Sequence, residues 1–397
     1  MLFHSPVFVF FFLPVVVLFV WGIGGRGRGN LAVLVICVAS LWFYAWWNVL
    51  YLPILMLSIC LNYLIGKRLR SPESPLSLSR GMIFLGVTLN LGVLAWFKYA
   101  GYFSLSINRF WEGNLPVYRL AIPLGISFFT FQQIAYLVDS WKEKKYGTTE
   151  IVSHGFSHYV FFVSFFPQLI AGPIVSHRDI FYQFRRPRFL RWNSTNVAVG
   201  MNFFVVGMAK KLLLGDSMDV FVNRVFDIHT PISTISVLDI WIGVIAYSLK
   251  IYFDFSGYSD MAIGLGRMLG VRLPLNFASP YQASSISEFW RRWHMTLSRF
   301  LRDYLYIPLG GGRSGQLIRY RNLMATMLLG GLWHGAGNNF IVWGGLHGLY
   351  MMGHHFWRRA GFVMPNWAGV ILTYLSVVVA WIFFRATSVL HGVNVFS

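Results

Sequence analysis

The sequence is poor in charged residues, and this scarcity already limits the class of protein. Only 12% of its 397 residues are Asp, Glu, Lys or Arg, whereas 56% are hydrophobic. A soluble globular protein carries about 25% charged residues, so the chain lacks the polar surface that a soluble domain needs. Disorder, collagen and coiled coil are excluded too, because the apolar content is too high and no short period repeats. The composition therefore predicts an integral membrane protein.

Cysteine and acidic residues are also scarce. The two cysteines, Cys37 and Cys60, lie in apolar runs, which excludes a disulfide framework and a cysteine metal site. The 14 acidic residues are opposed by 33 basic ones. In a soluble protein this excess would indicate nucleic acid, but here the basic residues cluster between apolar segments, as in cytoplasmic loops beside anionic lipid. We therefore expect this protein to interact with a lipid bilayer and not with nucleic acid. We also expect no bound metal.

The first apolar runs predict the orientation of the chain. A spanning helix needs about 20 apolar residues, and the first run, 6–22, is followed by a basic loop at 26–28. The run 31–65 is too long for one span, and an aromatic turn at 46–48 predicts a hairpin of two helices that ends at the basic stretch 67–70. Both basic loops then lie on one side, so the positive-inside rule places the N-terminus in the periplasm.

The rest of the chain predicts further membrane segments. We expect spans at 82–103, 120–138, 197–214, 235–253 and 370–384, a re-entrant segment broken by two prolines at 152–175, and an interrupted apolar run at 323–352. Residues 254–313 are too polar for ordinary spans. The predicted fold is an all-α integral membrane protein with roughly ten transmembrane or re-entrant helices, arranged as one polytopic domain over 1–397.

His334 is the first candidate functional residue. An ionisable residue at membrane depth costs free energy, so its presence there indicates a functional role. The helical run 323–333 before it climbs roughly 16 Å, about half the hydrocarbon core. Gly335 and Gly337 then permit the helix to break. A neutral histidine at that depth suits a general base that acts on a hydroxyl. The alternative is a structural histidine bonded to a backbone carbonyl.

The aromatic and basic stretch 287–303 is the second candidate. Helical spacing places Trp290, His294 and Ser298 on one face, with Arg291 close to it. The alternative is an amphipathic interfacial helix with cytoplasmic arginines, which explains the arginines well and the histidine poorly.

Two carboxylates form the third candidate. Asp254 and Asp260 follow an apolar run, where they need partners or protonation. They could bind a cation, form a proton relay, or pair with nearby arginines within the fold.

Several stretches resemble the membrane-bound O-acyltransferase family in order and spacing. They are YFDFSGYSDMAIGLG at 252–266, EFWRRWH at 288–294, LRDYLYI at 301–307 and LGGLWHG at 329–335, with IPLGISF at 122–128 and FPQLIAGP at 166–173. Within that family the chain is similar to the bacterial alginate O-acetyltransferase branch.

The resemblance implies a multi-helix fold around a central catalytic tunnel, with an essential histidine at His334 and a second polar position at His294 opposite it. It implies an acetyltransferase that uses cytoplasmic acetyl-CoA, holds no bound cofactor, and serves the O-acetylation of an exported polysaccharide such as alginate from the bacterial inner membrane. It also implies a periplasmic or membrane-anchored partner of the SGNH-hydrolase type. Candidate substrate-binding residues are Trp333, Trp290, Arg291, Asp254 and Asn338.

Two alternatives remain open from the sequence. D-alanyl transfer to teichoic acid shares the family motifs. A transporter or polymer-export channel would use Asp254 and Asp260 as a cation or proton site, but it would be expected to show two related halves with paired broken helices, which the sequence does not show.

Members of the alginate O-acetyltransferase branch usually continue with further helices beyond the stretch that matches 377–385, so we expect this chain to lack them.

Overall fold

The computed structural model describes residues 1–111, 113–117, 120–147, 154–186, 189–227, 232–313 and 315–396. Over these residues the chain is helical and has no β-strand. The helices are α1 (Leu13–Gly25), α2 (Gly29–Trp47), α3 (Leu52–Arg70), α4 (Leu76–Trp111), α5 (Ile126–Tyr146), α6 (Phe156–Ser164), α7 (Phe166–Leu169), α8 (His177–Phe181), α9 (Ser194–Ala209), α10 (Asp219–Phe226), α11 (Val237–Met268), α12 (Ile286–Arg292), α13 (Met295–Leu301), α14 (Gln316–His334), α15 (Asn338–Arg359), α16 (Asn366–Arg385) and α17 (Val389–Phe396). Wider π-helical turns lie at Phe8–Phe12, Lys210–Gly215 and Arg302–Tyr306, and 3₁₀ turns at Val49–Tyr51, Tyr182–Arg185, Asp216–Met218, Ile232–Thr234 and Pro280–Gln282. The predicted all-α fold is confirmed.

Six stretches of the described chain are long and apolar enough to cross a membrane. They are Phe8–Gly25, Gly29–Trp47, Val49–Arg70, Leu76–Trp111, Ser194–Phe226 and Asn366–Arg385. The chain is therefore a multi-pass membrane protein, as predicted. Helices α5, α11, α14 and α15 have 19 to 32 residues but are not among these six stretches, and the helix count of roughly ten stays a prediction.

The predicted helical hairpin after the first span is confirmed. Helix α2 ends at Trp47, and the side chain of Asn48 then accepts a hydrogen bond from the Leu50 amide at 2.9 Å. Pro53 lies in the first turn of α3, where its missing N–H costs no helical hydrogen bond.

The predicted re-entrant segment is only partly described. Val152, its first residue, lies outside the described residues. The remainder forms the short helices α6 and α7, and Pro167 sits in the first turn of α7. Neither helix is long enough to span, but whether the segment re-enters the membrane stays a prediction.

The described residues divide into two compact units. The first consists of Met1–Met208 and Tyr258–Pro274, and the second of Ala209–Gly257 and Leu275–Ser397. In the first unit, α5 is buried along most of its length, and some of its polar side chains hydrogen-bond to neighbouring helices of the unit. The amide of Gln133, for example, donates to the Ser58 hydroxyl at 2.9 Å. A buried polar group without such a partner would cost about 1–3 kcal/mol.

The second unit is built on an antiparallel pair of helices, α14 and α15. Gly331 of α14 and Gly344 of α15 lie so close to the facing helix that a Cβ at either position would overlap a backbone carbonyl. Small residues permit this close approach. Helix α16 joins the pair through Trp381, which stacks on Trp343 at 5.8 Å.

Two expectations about helix boundaries are wrong. The span predicted at 235–253 does not end there, because α11 continues to Met268. The carboxylate of Asp254 is ion-paired inside the fold, so the helix can continue past this charged residue. The chain leaves the helix near Gly270, which adopts a left-handed φ of 80°.

The stretch 287–303 is not one continuous helix either. Helix α12 ends at Arg292 and α13 begins at Met295, so Trp290 and His294 do not share a helical face. At the break, His294 adopts φ 41° and ψ 54°, a left-handed conformation that does not continue a helix.

Candidate active site

His334 is the last residue of α14, and the helix ends where the glycines predict. Gly335 follows in an extended conformation, with φ −168° and ψ 158°. A Cβ at position 335 would overlap the ring of Phe340 in the first turn of α15. Glycine is therefore needed for the chain to turn from α14 into α15 directly after the histidine.

Three aromatic rings surround the imidazole of His334. The ring centroids of Trp333, Trp343 and Phe384 lie 4.8, 5.0 and 5.1 Å from it, each in an edge-to-face arrangement. They belong to α14, α15 and α16, so three helices fix the position of this histidine. The start of α15 is in turn tied to the end of α16, because the Asn339 amide donates to the Ala386 carbonyl at 2.9 Å.

His294 lies at the break between α12 and α13 and is fully buried, at 1% exposure. Its Nδ1 atom lies 3.0 Å from the Asn276 side-chain oxygen. The backbone carbonyl of Asn276 also accepts a hydrogen bond from the backbone amide of Met295 at 2.9 Å. The free N–H groups at the start of α13 thus find acceptors in the segment around Asn276, which stabilises the break.

A single indole contacts both histidines. The ring centroid of Trp333 lies 4.8 Å from that of His334 and 6.3 Å from that of His294. Phe255 also packs edge-to-face on His294, with a distance of 4.7 Å between the ring centroids. The structure thus brings together three of the predicted site residues, His334, His294 and Trp333, within the second unit.

Trp290 and Arg291, in α12, lie beside this group. Trp290 is buried and packs on Trp343 at 5.9 Å and on His347 at 5.1 Å, so Trp343 links it to His334. Arg291 is exposed. Of the two candidate substrate-binding residues in α12, Trp290 therefore packs against the aromatic rings around His334, and Arg291 lies on the surface.

Helix α12 is held at its start by an ionic cap. Glu288 accepts hydrogen bonds from the Ser284 amide and hydroxyl, both at 2.9 Å, and pairs with Arg292, one turn later in α12, at 2.6 Å. These hydrogen bonds, the Ser284 amide first, lower the pKa of the Glu288 carboxyl. The carboxylate is thereby occupied in fixing α12.

Asp254 pairs with lysines and not with arginines. Its carboxylate lies 2.9 Å from Lys211 Nζ and 3.3 Å from Lys250 Nζ. Lys211 also pairs with Asp216 at 2.6 Å, and Lys250 with Asp219 at 2.8 Å. Ion pairing within the fold, one of the open alternatives, is what the structure shows. Asp254 adjoins the site through its neighbour Phe255.

Asn338, the last of the predicted site residues, is the first residue of α15 and is exposed. Sequence reasoning missed Asn276, Trp343 and Phe384. Trp343 and Phe384 carried no signal beyond apolar helix composition. Asn276 was the one residue that the sequence could have indicated, as an amide in the polar, aromatic segment before His294, but its partner is 18 residues away.

The fold and the site first define a class: a multi-pass, all-helical membrane protein with two histidines around one indole. The chain belongs to the membrane-bound O-acyltransferase family, whose model matches residues 38–393. The resemblance seen in the motifs is thereby confirmed. The protein is an O-acyltransferase, and the transporter alternative is dropped.

Named relatives are similar over most of the chain. A peptidoglycan O-acetyltransferase of Helicobacter pylori is 41% identical over 420 residues, covering 100% of this chain and 79% of that protein. The "Probable alginate O-acetylase AlgI" of Pseudomonas aeruginosa is 40% identical, covering 97% of this chain and 72% of that protein. A teichoic acid D-alanyltransferase of Bacillus subtilis is 25% identical, covering 70% of this chain and 69% of that protein.

Proposed function

We propose that the protein moves an acetyl group from cytoplasmic acetyl-CoA across the bacterial inner membrane, for the O-acetylation of an exported polysaccharide such as alginate. One observation carries this proposal: His334 ends α14 inside an aromatic enclosure whose Trp333 indole also contacts His294. An imidazole fixed by three helices suits a base that must meet its substrate in one geometry.

In the proposed mechanism His334 is the general base. An imidazole nitrogen takes the proton of the attacking hydroxyl while the hydroxyl oxygen bonds to the carbonyl carbon of the thioester. The carbon–sulfur bond then breaks, and the leaving thiolate takes the proton back from the imidazolium. A positioned base of this kind contributes about 10²–10⁴ in rate. His294 orients the acceptor or polarises the thioester carbonyl.

The names of two relatives support the acetyl group and the acceptor. Both specify O-acetylation of a glycan, and both proteins are at least 40% identical to this chain. The relative named for D-alanyl transfer is 25% identical over 302 residues. We therefore propose acetyl transfer and treat D-alanyl transfer as an alternative outcome of the test.

The charge pattern supports the proposed location. The basic loops at 26–28 and 67–70 favour a periplasmic N-terminus in the inner membrane. Opposed openings would keep coenzyme A inside while only the acetyl group crosses, which avoids moving a large anion through hydrocarbon. We propose that an SGNH-type partner at the periplasmic face completes transfer to the polymer.

The test is ester-linked acetate on the exported polymer of a deletion strain complemented with each variant. Wild type is expected to restore acetate, and His334→Ala to abolish it at equal membrane level by immunoblot. His4→Ala, which removes a histidine near the N-terminus, is the matched control. Normal acetylation by His334→Ala would overturn the mechanism, and ester-linked D-alanine in place of acetate would support the alternative.

A further inference from the structure

The hydrogen bonds around His294 determine which of its two ring nitrogens carries the proton. Nδ1 lies 3.0 Å from the side-chain oxygen of Asn276. A carbonyl oxygen has no proton to give, so the ring must donate, and Nδ1 must be protonated.

The assignment depends on that Asn276 atom being oxygen rather than nitrogen, because the two look alike in shape. Thr296 decides the question. Its backbone N–H, which can only donate, points to the same atom at 3.4 Å, and its hydroxyl donates to it at 3.0 Å. An amide nitrogen could not accept these hydrogen bonds, so the atom is the oxygen.

The other ring nitrogen of His294 is then an unprotonated acceptor in the neutral imidazole. Nε2 is buried and has no hydrogen-bond partner among the described residues. Such a group normally finds a partner, because leaving it unpaired is costly. An acceptor that Asn276 holds in place, and that has no hydrogen-bond partner in the part of the chain that the structure describes, indicates a substrate group that donates.

We propose that Asn276 is a positioning residue that locks His294 in the Nδ1–H tautomer, so that Nε2 accepts a hydrogen bond from a hydroxyl of the acceptor. This inference rests on the proposed function and chooses between the two roles left to His294. A neutral ring with a bare Nε2 has no proton to offer a thioester carbonyl, so His294 orients the acceptor.

The proton count also constrains the acceptor. Each hydroxyl carries one proton, and His334 takes the proton of the attacking hydroxyl. The hydroxyl that donates to Nε2 is therefore a second one, which remains intact. The acceptor that enters this site therefore carries at least two neighbouring hydroxyl groups.

The tautomer can be measured without any activity assay. We would label the protein with ¹⁵N-histidine, place it in lipid nanodiscs at neutral pH, and identify the His294 signals by their loss in His294→Phe. A protonated Nδ1 with a bare Nε2 is expected. A protonated Nε2 in the wild type would overturn the proposal.

Variants test the role of Asn276. In Asn276→Leu the Nδ1–H preference should be lost and polymer acetylation should fall by about tenfold or more, as for other residues that orient a functional histidine. Asn322→Leu is the matched control, since Asn322 is a buried amide bonded to the Leu309 and Gly311 carbonyls. It should leave the His294 spectrum unchanged. An unchanged spectrum or normal acetylation in Asn276→Leu would refute the positioning role.

Asn276→Asp keeps the test open if the leucine variant does not accumulate. A carboxylate accepts the same hydrogen bond but favours the imidazolium, so both ring nitrogens should be protonated where the wild type is neutral. A wild-type spectrum in this variant contradicts the proposal. If the spectra are as expected but His334→Ala still acetylates, the proposed function fails and the tautomer assignment stands.

Discussion

The carboxylate of Asp254 lies 2.9 Å from the ammonium group of Lys211 and joins two helical segments of the second unit. Lys211 lies in the π-helical turn Lys210–Gly215, and Asp254 lies in α11. Lys250, one turn earlier in α11, shares the same carboxylate at 3.3 Å. Asp254 is therefore the acceptor common to two lysines, and its removal would leave each lysine with one carboxylate, Asp216 for Lys211 and Asp219 for Lys250.

We expect Asp254→Ala to destabilise the fold by about 1–3 kcal/mol, between the values for exposed and buried ion pairs, because these side chains are 18% to 28% exposed. The measurement is the thermal unfolding midpoint of purified protein in detergent.

Asp303→Ala is the control for this change. Asp303 pairs with Arg302 at 2.7 Å, but the arginine is 62% exposed, so its removal should cost about 0–1 kcal/mol. Equal midpoint shifts for the two variants would contradict a special role for the Asp254 network.

The ion pairs of Asp254 also explain why position 215 is a glycine. A Cβ on Gly215 would overlap the Asp254 carboxylate, which the two lysines prevent from moving away. Gly215→Ala should therefore lower the unfolding midpoint, although alanine is the better helix former. Gly353→Ala is the matched control in α15, where a Cβ meets nothing within 4 Å, and it should stabilise by about 0.4–1 kcal/mol. A raised midpoint in Gly215→Ala would contradict the close approach.

The sequence predicted features that depend on local chemistry. The hairpin between α2 and α3 follows from run length and a proline, and the helix end at His334 follows from its glycines. The family motifs placed both histidines. Each of these signals lies within a few residues of the feature it predicts.

Features that depend on distant partners could not be predicted in this way. The break at His294 needs acceptors from the segment around Asn276, 18 residues earlier. Helical spacing relates only residues three or four positions apart, so it could not predict them. Likewise, α11 passes through Asp254 because Lys211 and Lys250 neutralise its charge. Lys250 lies one helical turn away, but Lys211 is 43 residues earlier, and only the folded chain brings it to the carboxylate.

The orientation of the chain can be tested with single cysteines. In a background with Cys37 and Cys60 replaced by Ala, Leu2→Cys and Glu73→Cys place one exposed thiol before α1 and one between α3 and α4. The positive-inside rule predicts that a membrane-impermeant maleimide labels the thiol at position 2 in intact spheroplasts and the thiol at position 73 only after lysis. The reverse pattern would invert the proposed topology.

The two histidines should differ in how much activity their loss removes. His334→Gln keeps a hydrogen-bonding side chain but cannot take a proton at neutral pH, so it should lose nearly as much acetylation as His334→Ala. The base is needed in the transition state, when the hydroxyl proton leaves, and much less for folding or donor binding.

His294→Ala should retain measurable acetylation, because a residue that only orients the acceptor leaves the base in place. Misplacement of a reacting group costs about 10²-fold in rate, whereas His334 variants should fall to background. The measurement is ester-linked acetate per unit of membrane protein in the complemented deletion strain, with unfolding midpoints of each purified variant as the control for folding. If His334→Gln were the more active of the two at equal midpoint, the roles would be exchanged: His294 would be the base, and the bare Nε2 held by Asn276 would be the atom that takes the proton.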